Sequence, residues 1–127
     1  MDARLSGFFF LLSLVTASWA LAAGPTPDRV LIIYNANYTA DADGDGVQDS
    51  LEVATYYAQK RGVPATNLLG IPLSTDFYYD TVSQFKTNMI QPIQTKLTQL
   101  GATNIDVLLL VYGTPLSVTS VATAASQ

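Results

Sequence analysis

The sequence predicts an α/β fold with βαβαβ order and a parallel sheet, and three observations carry that expectation. Apolar runs without alternation occur at residues 29–34, 67–73 and 105–112, the pattern of strands covered on both faces. Two stretches of helical spacing lie between them, each with start or stop residues. Connections of that length join parallel strands by right-handed crossovers.

Arg29-Val30-Leu31-Ile32-Ile33-Tyr34 is the first strand. From Leu51 the spacing turns helical, with Leu51, Ala54, Tyr57 and Ala58 on one stripe. Lys60-Arg61, Gly62 and Pro64 supply last-turn cations, a terminating glycine and a stop. Asn67 to Leu73 is the second strand; Pro72 lacks a ladder donor and marks its end or a sheet edge. Thr81 and Gln84 form a capping box ahead of Val82, Phe85, Met89, Ile93, Leu97 and Leu100, and Gly101 closes this second helix. Pro92 inside it frees a carbonyl one turn earlier and predicts a kink. Ile105 to Tyr112 is the strongest buried-strand signal, ended by Gly113-Thr114-Pro115. The result is a Rossmann-like half. Residues 118–127 are small and polar, without period, and cannot cover an open edge as apolar as Leu108 to Val111. Since natural proteins protect such edges, the sequence predicts an incomplete domain; the rival reading is a small protein that dimerises there.

Residues 1–23 read as a secretory signal peptide. Arg4 precedes the apolar run Gly7 to Val15, and Ala20-Leu21-Ala22 supplies the small-residue cleavage pattern, with cleavage after Ala22 or Ala23. Leu5 to Ala23 is about long enough for an uncleaved anchor, but the Ala-rich exit favours removal and no stable membrane insertion afterwards. Residues 24–29 are a stiff, Pro-rich lead-in to an α/β domain over 30–117. The expected location is secreted, periplasmic or extracellular.

Of 127 residues, Lys and Arg number 6, Asp and Glu 10, and there is no histidine or cysteine. A Ser-His-Asp triad, a Cys-His dyad, a zinc site and a disulfide framework are therefore excluded, as is a lipid-bearing cysteine. A net charge of −4 argues against a phosphate-backbone partner, so no nucleic acid is expected. The first strand-to-helix connection lacks the Gly-rich phosphate fingerprints, and no nucleotide site is supported.

One motif carries specific chemistry. Asp41-Ala42-Asp43-Gly44-Asp45-Gly46-Val47-Gln48-Asp49-Ser50-Leu51-Glu52 fits D-x-[DN]-x-[DN]-G-x₅-E at every specified position. Ca²⁺ collects six to eight hard oxygens. Asp41, Asp43 and Asp45 supply carboxylates, Gly46 the sharp turn, Val47 its backbone carbonyl, Asp49 a direct or water-mediated ligand, and Glu52 a bidentate close. Five of the nine acids after residue 23 lie in this loop, and outside it bases outnumber acids by one. Such crowding repels itself unless a cation or water separates the carboxylates, and a divalent ion would relieve it. The expected affinity is the weak extracellular range, about 10⁻⁴ to 10⁻³ M or somewhat tighter. Two simpler readings compete: Asp49 and Glu52 as an acidic capping box, and Asp-Gly pairs as turn formers. Position eight, usually apolar in EF-hands, is Gln48, and a strand precedes the loop. It therefore resembles the isolated calcium loops of dockerins and thrombospondin type 3 repeats.

Ligands of parallel sheets sit beyond the carboxyl ends of the strands. Asn35, Asn37, Tyr38 and Thr114 are thus candidate pocket residues, with Ser74, Thr75 and Asp76, although turns use the same residue types. Phe77-Tyr78-Tyr79 and Tyr56-Tyr57 could stack on a sugar or peptide, or half-bury at the sheet rim. Asp106 is expected to cap a turn at the far end.

Val30 to Asn37 (VLIIYNAN), YYAQKRGVPATNL from Tyr56 to Leu68, Ile90-Gln91-Pro92-Ile93 and LVYGTPL from Leu110 to Leu116 resemble an uncharacterised family of exported bacterial proteins. The similarity spans about Val30 to Val118. It implies export and an α/β fold, without a reaction, and its typically longer members agree with an incomplete domain. This chain departs in the acidic loop after Asn37 and in Thr114, where valine is usual. Two other function classes remain open. One is the N-terminal part of a secreted hydrolase, faintly similar in element order to caspase-like and gingipain-like peptidases, with reactive residues beyond Gln127. The other is a cell-surface interaction module whose protein or carbohydrate partner is unknown.

Overall fold

A computed structural model describes residues 24–76, 78–79, 81–115 and 117–118. Residues 1–23, read from the sequence as a signal peptide, Phe77 of the aromatic cluster, Leu116 of the strand-ending turn and residues 119–127 of the polar tail lie outside the described residues. The fold is α/β, a three-stranded parallel sheet with helices on its faces. Strand β1 (Val30–Asn35) is followed by helix α1 (Asp49–Arg61), β2 (Leu68–Ile71) and β3 (Tyr78–Tyr79). A helical stretch comes next: α2 (Val82–Phe85), a π turn (Lys86–Ile90) and α3 (Gln91–Leu100). Strands β4 (Val107–Leu110) and β5 (Ser117–Val118) complete the order. The main sheet runs β2-β1-β4, all parallel, with Ile33 opposite both Leu69 and Leu110. Among the described residues no helix is long and apolar enough to cross a membrane.

β1 is the centre of the molecule, and Leu31, Ile32 and Ile33 are fully buried. Alternation sends Leu31 and Ile33 to a core shared with Ile71, Leu73, Met89 and Ile93. Val30 and Ile32 face the other layer, with Ala54, Ala58, Val63 and Val111. Helix α1 presents Ser50, Ala54 and Ala58 as its buried stripe; small side chains at that spacing let its axis lie close to β1. It ends at Gly62, whose φ of 69° is the left-handed conformation that glycine adopts freely. The lead-in forms a 3-10 turn at Pro27–Arg29, because proline is tolerated in a first helical turn.

The Thr81 capping box is present in both directions. The Gln84 N–H donates to Thr81 Oγ1 at 3.1 Å, and the Thr81 N–H donates to Gln84 Oε1 at 3.0 Å. Pro92 is met by the π turn, where the Gln91 N–H donates to the Lys86 carbonyl. The wider turn makes room where a proline ring would press on a carbonyl four residues back.

Two expectations need correction. β4 is not covered on both faces: it is an edge strand of the main sheet, with Leu108 and Leu110 45% and 41% exposed. Their register opposite Leu31 and Ile33 puts them on the face that α3 covers over β1 and β2, and α3 does not extend across β4. Composition reports affinity for a covering layer, not the presence of one. Secondly, Val118 is not structureless: β5 pairs in parallel with β3, Tyr78 opposite Ser117 and Tyr79 opposite Val118.

The amino end of the sheet is tied separately. Arg29 makes a bidentate ion pair with Asp106, with Nη2 2.6 Å from Oδ1, and also donates to the Thr103 carbonyl at 3.0 Å. The buried Asn67 amide donates to the Asp28 and Val30 carbonyls at 2.8 and 3.1 Å.

Candidate functional site

The acidic loop leaves the carboxyl end of β1 and closes where the Asp49 N–H donates to the Ala40 carbonyl at 2.8 Å. Its turns use Gly44 and Gly46 at φ 77° and 90°, the second being the glycine that the motif requires. Asp41, Asp43 and Asp45 each offer a carboxylate oxygen, all within 4.8 Å of one another. Backbone amides orient them. Asp41 Oδ1 accepts from Gly44 at 2.8 Å and Asp45 at 3.1 Å, and its Oδ2 from Gly46 at 2.9 Å. Asp45 Oδ1 accepts from the Val47 N–H at 2.7 Å.

Those amides, Gly46 foremost, hold the Asp41 carboxyl below the usual carboxylate range. Glu52 is displaced in the opposite direction. The charge of Asp43, followed by burial and the charges of Asp45, Asp49 and Asp41, raises its pKa. Glu52 thus lies within the field of the other four acids. Asp49 does not cap α1: the cap position is Gln48, without a side-chain cap bond, and Asp49 Oδ1 accepts from the Ala42 N–H at 2.9 Å across the loop. The capping-box alternative therefore lacks its hydrogen bonds. Gln48 has a different task. With its amide nitrogen turned inward it donates to the Asn35 carbonyl at 2.9 Å and to the Tyr38 carbonyl, pinning the loop to the end of β1.

The candidate pocket residues divide. Tyr38 and Thr114 line a cleft of about 630 Å³ beyond β1 and β4, together with Thr75 and Asp76. Asn35 and Asn37 are not in its lining. The fully buried Asn35 amide donates to the Ser74 and Gly113 carbonyls at 3.0 and 2.9 Å and accepts from the Asn37 and Leu73 N–H groups at 2.9 and 3.0 Å. Two donors and two acceptor positions are thereby used, so Asn35 joins the loops after all three strands. Beside it is Ser50, which sequence reasoning missed. Its hydroxyl accepts from the Asn35 N–H at 3.0 Å and donates to the Tyr112 carbonyl at 2.6 Å. The signal for it was a small polar residue on the buried stripe of α1.

No protein family, curated protein or solved structure matches the chain. The functional reading accordingly rests on the residues themselves. On α1, Lys60 and Arg61 sit over the rings of Tyr56 and Tyr57 at 5.3 and 5.9 Å, a spacing of four residues that engages those rings within the helix. At the cleft, the Tyr38 hydroxyl donates to that of Tyr112 at 2.9 Å, and the rings meet edge to face with centroids 5.3 Å apart.

Proposed function

We propose that this is an exported bacterial protein that holds one Ca²⁺ in the loop from Asp41 to Glu52, the ion serving to rigidify the connection from β1 to α1. The ligands are carboxylate oxygens of Asp41, Asp43, Asp45, Asp49 and Glu52 and the carbonyl of Val47. The observation that carries the reading is the convergence of three carboxylates within 4.8 Å at the first three positions of the loop. Glu52 at the closing position lies in their repulsive field. An all-oxygen, carboxylate-rich set suits a hard cation. A bidentate glutamate and a shell of six or more oxygens suit Ca²⁺ better than the smaller Mg²⁺.

The test is a calorimetric calcium titration with melting curves in calcium and in chelator. The expected result is one saturable site and a rise in melting temperature, both abolished in Asp41→Ala and Glu52→Ala. Absence of both heat and melting shift in the unaltered protein rejects the reading. The exposed apolar edge of β4 favours a second role as an interaction surface; a solely monomeric elution at high protein concentration counts against it.

A further inference from the structure

We propose that the cleft beyond β1 and β4 binds a small organic cation, an ammonium group on an aromatic or aliphatic body. The first argument is position. The chain leaves β1 for the β2 side of the sheet and later returns to place β4 on the opposite side of β1. The region beyond the carboxyl ends of the strands at such a reversal is where open α/β sheets receive ligands. The cleft volume of about 630 Å³ falls within the range of about 300–1,000 Å³ typical of small-molecule sites.

The second argument is chemistry. Leu110, Val111 and Pro115 give aliphatic walls, and the rings of Tyr38 and Tyr112 stand edge to face beside them. Asp76 carries the single charge among the described lining residues, with no lysine or arginine beside it. It is exposed and makes no ion pair among the described residues. An anion would meet an unbalanced carboxylate there; a cation would meet that carboxylate beside two tyrosine side chains, a residue type whose ring attracts cations. The third argument is order in the free protein. The Thr114 hydroxyl donates to the Val111 carbonyl at 2.9 Å, and Asn35 holds the Gly113 carbonyl at 2.9 Å. The wall formed by residues 111–114 is thus held before a ligand arrives, which lowers the entropy lost on binding.

The test uses ligand-observed NMR on the full chain in excess calcium, with benzylammonium, benzyl alcohol and benzoate as probes of one shape and three charges. The expected order is benzylammonium at least about tenfold tighter than benzyl alcohol, a difference of about 1.4 kcal/mol, with no saturation by benzoate. Asp76→Asn removes the preference for the amine, and Tyr112→Ala weakens amine and alcohol together. Both positions are exposed, and melting curves confirm that the variants fold. Raising calcium from slight to large excess leaves amine binding unchanged; displacement of the amine by calcium places the cation on the acidic loop and overturns the proposal. Equal binding of benzoate, amine binding indifferent to both cleft variants, or no saturation by any probe also overturns it.

Discussion

Alanine at position 35 separates a scaffold role for Asn35 from a ligand-lining one. The substitution removes two donated and two accepted hydrogen bonds in a fully buried setting. The Leu73 N–H is left without a partner in buried surroundings, which costs about 1–3 kcal/mol. The Ser74 and Gly113 carbonyls are partly buried and regain some hydration, so each loses about 0.5–1.5 kcal/mol, the usual net worth of one hydrogen bond. A loss of about 2–6 kcal/mol follows, against a total stability of about 5–15 kcal/mol for an ordinary domain. Urea unfolding followed by circular dichroism measures it. With a slope of about 1–3 kcal/mol per M, the midpoint falls by about 2 M. Asn35→Asp keeps the acceptors, loses both donors and sets a carboxylate against two carbonyls, so it destabilises at least as much at neutral pH. Asn37→Ala removes one long bond of 3.4 Å to the Leu73 carbonyl and stays within about 0.5 kcal/mol. A loss below about 1 kcal/mol for Asn35→Ala would refute the scaffold assignment.

Glu52→Gln should act in opposite directions with and without calcium. Its carboxyl is raised above the ordinary 4.5, so the folded chain holds that proton more tightly than the unfolded chain, and ionisation subtracts stability as pH rises through this range. At neutral pH in chelator the variant therefore melts higher than the parent, and in calcium it gains less; the same shift in both buffers contradicts this. Asp106, depressed by its hydrogen bond to Arg29, stabilises the fold above its ordinary 3.8, and that stability is lost as pH falls through the lower folded value. Asp106→Asn consequently shows a shallower fall in urea midpoint below about pH 4 than the parent, and an unchanged acid limb would sink the assignment. Gly113 has φ 84°, and an added Cβ would lie 2.9 Å from the Tyr38 ring; Gly113→Ala loses about 1–3 kcal/mol, with an altered tyrosine signal in the near-ultraviolet dichroism.

Local signals were legible where one residue type answers one backbone need. Gly62 ends α1, Thr81 and Gln84 open α2, and Pro72 follows a strand at the sheet edge. The three strands and their parallel order followed from apolar runs joined by helix-length connections. Burial of β4 did not, because Leu108 and Leu110 carry no mark of whether a layer lies above them. Asn35 and Ser50 were illegible for a related reason. Their partners, the carbonyls of Gly113 and Tyr112, are 78 and 62 residues away, and a polar residue in a turn has the same letter whether it faces a ligand or a carbonyl. In the acidic loop, spacing anticipated the convergence of Asp41, Asp43 and Asp45. It did not anticipate the tether through Gln48, which lies at a position read only as a departure from pattern.

The wide turn at Lys86–Ile90 has a bearing on what this helix tolerates. In a regular α-helix each step of four residues overshoots a full circle by about 40°. Phe85, Met89, Ile93 and Leu97 would then wander by about 120°, yet all four meet the same core. The under-rotated turn acts as a vernier that brings the early members back into phase with the later ones. Exchanging a single exposed letter such as Thr95 leaves the phase untouched, whereas excising it slips Leu97 and Leu100 by about 100° against Ile93 and turns them from the core they pack on. Loss of one residue inside the wide turn is instead taken up by its tightening to an ordinary α turn.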